Sequence, residues 1–291
     1  MDSSERQSLS AIPLILGIAV AITWAGSQHG VEFGGVPVFA WCAIFAFAAN
    51  WLVFVPAHRF KTERYFDLTG SITYTGMVVI ALVIRGPDPR SLLLGILVTV
   101  WALRLGSFLF ARIQSDGSDG RFDAIKLSLP RFLMAWTLQA LWVLLTLSCA
   151  LAAMTTARPL PLGGVGVAGA LVWTAGFAIE VLADQQKRRF RSDPRNTGRF
   201  IQSGLWSWSR HPNYFGEIVL WIGIALLSVP VLSGWQHATL ISPVFVYVLL
   251  TRISGIPLLE ARERRRWADD PEYEKYKRRT ALLAPRPPRP I

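Results

Sequence analysis

Charge is scarce in this chain, and acid is scarcer than base. Only 17% of the 291 residues are charged, with 19 Asp and Glu against 30 Lys and Arg; soluble domains usually carry roughly 25%. Cysteine is nearly absent. Cys42 and Cys149 lie far apart, each inside an apolar run, which excludes a disulfide framework and any Cys/His metal spacing. Long polar stretches are missing as well, so no soluble domain of useful length fits between the apolar runs. No fixed-period repeat is visible. What is present is hydrophobicity: 52% apolar residues and twelve Trp, the composition of a membrane protein. The opening "MDSSERQSLS" lacks the positive n-region of a signal peptide, so the first apolar run is expected to be retained.

A helix needs about 20 apolar residues to cross a bilayer core. Candidate spans fall near 9–26, 36–55, 67–84, 91–113, 131–154, 164–184, 212–230 and 238–254, the first and last being short. Alternate connections are basic: "HRFKTER", Arg112 to Arg131, Lys187 to Arg210 and everything from Arg252 onward. The intervening ones hold almost no Lys or Arg. By the positive-inside rule this places both termini in the cytoplasm. The net charge of +11 is therefore mainly a record of topology, and nucleic acid is not an expected partner. The expected fold is all-α: one integral membrane domain over 1–291, a polytopic bundle of seven to eight transmembrane helices. A Pro-rich tail, 286–291, is expected to be extended or disordered.

"GVGVAG", Gly164 to Gly169, matches the dinucleotide fingerprint but lacks the preceding strand. Small residues for close helix packing are the better account. Ionisable groups inside spans are costly and point to function; here they are Asp67, Arg104, Glu180, Asp184, Glu217, Arg252 and Glu260. Glu180, Asp184, Lys187, Arg188 and Arg191 recur at three and four residues, on one helix face. That face is either a set of intrahelical ion pairs or the rim of an anion site.

The stretch "GLWSWSRHPNYFGEIVLW" makes the anion site concrete. Pro212 suits a first helical turn, with His211 at the cap. The free N–H groups that follow favour an anion, and Arg210 adds a guanidinium that can grip phosphate. Asn213 and Glu217 share a face one turn deeper. The pattern suits a nucleotide whose charged end stays at the rim. A metal is not expected, because no second His stands near His211.

"GLWSWSRHPNYFGE", with "EVLADQQKRRF" before it and "GIPLLE" and "YEKYKRRTALLAP" after it, resembles the C-terminal half of the steroid 5-alpha-reductase family, and more closely that family's bacterial membrane branch. The resemblance covers about 176–285, a reductase-like cofactor-binding half. Its N-terminal echoes are weaker, chiefly Asp67 in "ERYFDLTG" and "WALRLGSFLFAR". It implies an oxidoreductase acting on CH–CH groups: NADPH reduces a C=C bond conjugated to a carbonyl, by hydride transfer to the β-carbon. The implied substrate is steroid-like or another lipid.

Carried over by resemblance, the cofactor set is Asp184, Arg191, Asn196, Arg199, Arg210, His211, Asn213, Tyr214, Glu217, Glu260, Arg264 and Tyr276. Candidate catalytic groups are Tyr74, Arg104, Asp67 and Glu217, the first three as donors to the substrate carbonyl. The bland alternatives are an aromatic core role for Tyr74 and mutual pairing of Asp67 and Arg104. Glu180 stands where the family has Asn, and Trp101 falls near an expected Tyr. The implied partners are a lipid-like small molecule and membrane lipid, with a monomer sufficient and the cofactor site facing the cytoplasm. The runner-up is a membrane methyltransferase of the isoprenylcysteine or phospholipid type, using S-adenosylmethionine, because it shares the R-H-P-x-Y-x-G core. A non-enzymatic lipid-binding or transport protein is a third class.

Overall fold

The computed structural model describes residues 2–288, with the side chains of 115 and 116 left aside. Of the Pro-rich tail, 289–291 lie outside the described residues. Eight helical segments are long and apolar enough to cross a membrane. They are α1 (Ser3–Ser27), α2 (Val38–Arg59), α3 (Phe66–Arg85), α4 (Pro89–Asp116), α5 (Leu129–Thr155), α6 (Gly163–Ser192), α7 (Pro212–Ser228) and a composite last span over Gly234–Trp267. The last span contains α8 (Ile241–Val248), a π-turn (Leu249–Ile253) and α9 (Ile256–Trp267). α10 (Pro271–Arg279) follows it. The bundle is all-α apart from one small hairpin, β1 (Glu32–Phe33) and β2 (Val36–Pro37), paired Glu32 to Pro37 and Phe33 to Val36. Gly34 and Gly35 form its two-residue turn at φ +60 and +76, the double left-handed geometry that glycine alone adopts cheaply.

Several helices outrun their apolar segments. α1 begins six residues before its expected start because Asp2 and Glu5 form a reciprocal capping box. α6 runs to Ser192, through "DQQKRRFRS", since polar side chains at a membrane edge need not end a helix. The last span, expected at 238–254, reaches Trp267 for the same reason.

The chain divides into two compact units, Met1–Gly166 with Leu227–Ser242, and Val167–Leu226 with Pro243–Ile291. In the first, α5 is the hub. It is apolar around its whole circumference and almost entirely buried, the mark of a central helix. Lipid is as apolar as leucine, so helix association here depends on shape and on internal hydrogen bonds. The first unit supplies both. Phe54, Phe122, Phe132 and Trp136 form an aromatic cluster near one end. The Asn50 amide donates to the Ala46 carbonyl (2.8 Å) and to the Thr73 hydroxyl (3.3 Å). The Gln139 amide donates to the Phe66 carbonyl (2.8 Å), and the Trp51 indole to the Thr137 hydroxyl (3.1 Å). Arg90, 2% exposed, donates to the carbonyl of Leu227, in the last turn of α7 where helix geometry leaves acceptors open, and to those of Pro161 and Leu162 in the connection before α6.

A polar knot joins two connections of this unit. The buried Glu63 carboxylate accepts from the Asp119 amide (2.9 Å) and meets Lys126 (2.9 Å). Burial alone would raise the Glu63 pKa, but the Asp119 amide and Lys126 outweigh it and hold the carboxyl below its ordinary range. Removing one partner strands the other. Glu63→Ala is therefore expected to cost about 3 kcal/mol, read as a fall in melting temperature. Surface Glu32→Ala, in the exposed hairpin, should leave that temperature unchanged.

Candidate functional site

The second unit is built on a seam of glycines. Gly176 of α6 and Gly216 of α7 face each other so closely that a Cβ on Gly216 would lie 2.6 Å from both the Glu180 nitrogen and the Gly176 oxygen. A Cβ on Gly176 would meet the Leu220 nitrogen at 2.5 Å. Two turns further along α7, a Cβ on Gly223 would meet the Trp173 nitrogen at 2.5 Å and the Gly169 oxygen at 2.7 Å. Backbone therefore packs on backbone along α6 and α7. Of "GVGVAG", the Gly169 carbonyl lies on this seam, a Cβ on Gly166 would lie 3.1 Å from Leu162 and 3.5 Å from Arg90, and Gly164 faces open space. The seam brings the start of α7 against the stretch of α6 that carries Glu180 and Asp184. Glu180 is buried, and the Asn213 amide donates to the Asp184 carboxylate at 3.3 Å.

The loop leading into α7 is held from two sides. The Gly204–Ser207 turn docks on α6. There the Leu205 amide donates to the Gln186 side-chain oxygen (2.9 Å) and the Trp206 indole to the Ala183 carbonyl (3.0 Å). Ala183, Ile201 and Trp206 make a small core beneath it. From the other side comes the C-terminal segment. The Arg210 amide donates to Ala281 (2.8 Å), the Ser209 hydroxyl to Leu283 (2.6 Å) and the Arg286 amide to Trp208 (3.1 Å). Residues 281 to 286 thus lie extended along Trp208–Arg210. Sequence reading missed this clamp; the only signal was the apolar "ALLA" after a basic helix.

At the centre of the held loop is His211, 1% exposed, its carbonyl accepting the first turn of α7 from Phe215 (3.1 Å). Its ring stacks on Tyr214, with centroids 5.7 Å apart. Among the described residues neither ring nitrogen has a hydrogen-bond partner, and Arg210 Nε is likewise unpartnered. Burial first, then the charges of Lys187 and Arg210, push the His211 pKa down to about 3. The imidazole is therefore neutral at any physiological pH. Lys187 Nζ sits 4.3 Å from the Trp206 ring centroid, a cation–π contact. Arg210 reaches Glu260 of α9 at 3.1 Å. The Tyr273 hydroxyl donates to Glu263 (2.7 Å), and burial, then that bond, push its pKa up.

The other expected site residues distribute as follows. Arg191, Arg199 and Arg264 are exposed cations of the same unit, and Glu217 is half-buried one turn beyond Asn213. Asn196 and Tyr276, assigned by resemblance to the cofactor, carry structural duties. The Asn196 amide donates to Phe190 (2.9 Å), and the buried Tyr276 phenol donates to the Trp206 carbonyl (2.7 Å). In the first unit, Asp67 lies 3.8 Å from Arg112, Tyr74 packs edge-on to Trp101 (5.2 Å between centroids), and Arg104 is half-buried on α4. No group of three or more His, Cys, Asp or Glu suited to a metal occurs among the described residues. Lys187 and Gln186 are the contributors that the cofactor set omitted.

Fold and site together define a polytopic membrane protein with a rigid, cationic, histidine-bearing loop at a helix start. The chain belongs to the family described as "Protein of unknown function (DUF1295)", whose model matches residues 51–280. That match reaches well ahead of residue 176, where the resemblance read from sequence began. Among curated proteins, the chain is similar to 3-oxo-5-alpha-steroid 4-dehydrogenase 1 of Bos taurus, 32% identical over 119 residues, 40% of each chain. The same-named protein of Macaca fascicularis is 33% identical over 115 residues, 39% of this chain and 38% of that one. A "Probable O-methyltransferase ustE" of Ustilaginoidea virens is 30% identical over 94 residues, 30% of this chain and 33% of that one. The matches span about 40% of the length of the first two relatives. No solved structure matches.

Two outcomes follow from this geometry. Gly216→Val drives a side chain into the α6 backbone and should lower the melting temperature by several degrees or abolish folded protein. Gly17→Ala, where space is open, should not. The second concerns acid. The unfolded chain protonates its His near the ordinary 6.5 whereas folded His211 does not, so stability should fall as pH drops from 6.5 toward about 3. In His211→Gln that fall should be smaller, measured by melting temperature against pH.

Proposed function

We propose that this protein is a membrane-embedded reductase that uses NADPH to saturate a C=C bond conjugated to a carbonyl in a lipid-like substrate. The observation that carries the reading is the buried His211. It is neutral, has no hydrogen-bond partner on either ring nitrogen among the described residues, and feels the charges of Lys187 and Arg210 at the start of α7. Unpartnered buried nitrogens cost stability, so such a ring suits a ligand that supplies donors and acceptors of its own. The likeness to proteins named 3-oxo-5-alpha-steroid 4-dehydrogenase supports the oxidoreductase class.

The residues fit a nucleotide. Arg191, Arg199, Arg210 and Arg264 provide cations, and the amides opening α7 provide an anion-favouring dipole. Asp184, Asn213 and Glu217 give amide and carboxylate groups one turn inward, suited to a carboxamide. Tyr214 and Glu260 buttress His211 and Arg210. Asn196 and Tyr276 act by positioning. When bound, NADPH supplies the hydride for the β-carbon. Tyr74, Arg104 and Asp67 of the first unit are the candidate donors to a substrate carbonyl, where a donor is most useful as charge develops on the oxygen. The basic connections, by the positive-inside rule, support a cofactor site facing the cytoplasm.

A methyltransferase reading is favoured by one observation, the likeness to the probable O-methyltransferase, and the same experiment separates the two. A ligand binding only the folded state raises its apparent stability, by about 2.7 kcal/mol at a hundred times its Kd. NADPH should raise the melting temperature of the detergent-purified protein by several degrees, and S-adenosylmethionine should not. Asn213→Ala and Arg199→Ala should melt like the parent yet lose most of that shift. A shift with S-adenosylmethionine alone would overturn the reductase reading.

A further inference from the structure

The end of the last span sorts its charges. α9 carries two glutamates and four arginines. Both glutamates are half-buried and engaged: Glu260 with Arg210, and Glu263 with the Tyr273 hydroxyl. Arg262, Arg264, Arg265 and Arg266 are all exposed. Among the described residues Arg262 and Arg265 have no carboxylate partner, and Arg266 lies over the Trp267 ring at 5.1 Å. The helix dipole favours cations in a last turn, but it does not explain why every acid of α9 faces the protein.

Position supplies the rest. Val244, Tyr247 and Ile253, ahead of the break at Ser254–Gly255, and Leu258 after it are each more than two-fifths exposed. Within α9, Arg262 at i+4 from Leu258 and Arg265 at i+7 share the face of Leu258. An apolar side chain turned outward in a membrane protein meets acyl chains. Where Leu258 gives way to these arginines along the unbroken α9, their guanidinium groups suit headgroup level. Arg262, Arg265 and Arg266 lie outside the proposed cofactor set.

We propose that the outer face of α9 is a binding site for anionic phospholipid, with Leu258 against the acyl region and Arg262, Arg265 and Arg266 on the headgroup phosphate. A guanidinium holds phosphate through paired N–H donors, and each cation near an anionic surface adds attraction that salt screens. The occupant is a lipid rather than free phosphate because apolar and cationic exposure are continuous on one helix face.

The test compares melting temperatures of the full chain in mixed micelles containing phosphatidylglycerol or phosphatidylcholine of identical acyl chains. Phosphatidylglycerol should raise the wild-type midpoint by several degrees over phosphatidylcholine at low salt, and high salt should remove the difference. The triple variant Arg262→Gln/Arg265→Gln/Arg266→Gln should melt like the parent in phosphatidylcholine, show no phosphatidylglycerol advantage, and keep its full response to NADPH. Equal wild-type midpoints in the two lipids would overturn the proposal, and so would a triple variant that keeps the advantage. Inorganic phosphate alone reproducing the shift would make this a free-anion site, and loss of the NADPH response would assign these arginines to the cofactor; either result also overturns it.

Discussion

The candidate site depends on two helix backbones touching. In lipid there is no hydrophobic drive to press helices together, so proximity must come from shape. Gly176, Gly216 and Gly223 remove the side chains that would hold α6 and α7 apart. With the axes this close, short side chains suffice for the polar contact between Asp184 and Asn213. Longer side chains would have reached across a wider gap, but with more rotamers to freeze and less fixed geometry. The seam therefore sets the precision with which the amide and carboxylate groups are presented.

Low polarity around the loop decides the protonation of His211. A histidine beside two cations in water would still titrate near neutrality; buried between them it stays neutral. Its ring then offers one donor and one acceptor, and Lys187 and Arg210 supply the positive charge. Hydrogen-bonding capacity and positive charge are thus carried by different side chains.

Much of this was legible in the amino-acid order. The spans followed from hydropathy, and the start of α7 followed from Pro212. The approach of Asp184 to Asn213 was implied only by likeness to a family. Polar extensions of helices were not legible, because hydropathy ends where the bilayer does while α6 continues to Ser192. Nor were the duties of Asn196 and Tyr276. Asn196 satisfies a carbonyl in the last turns of α6 and Tyr276 one in the Gly204–Ser207 turn, neither of which a local pattern announces. The hairpin at Gly34–Gly35 was overlooked although its two glycines signal it.

The clamp of residues 281 to 286 on Trp208–Arg210 has a consequence in time. Those residues follow every span in the chain, so a ribosome releases them after α6, α7 and the loop between them have already entered the membrane. Until then the backbone of Trp208, Ser209 and Arg210 lacks its partners at Arg286, Leu283 and Ala281. Insertion of these spans into the bilayer and completion of the candidate-site loop are thereby separate events, the second following the first. A newly threaded bundle would have all its helices in place while the loop before α7 still lacks its clamp.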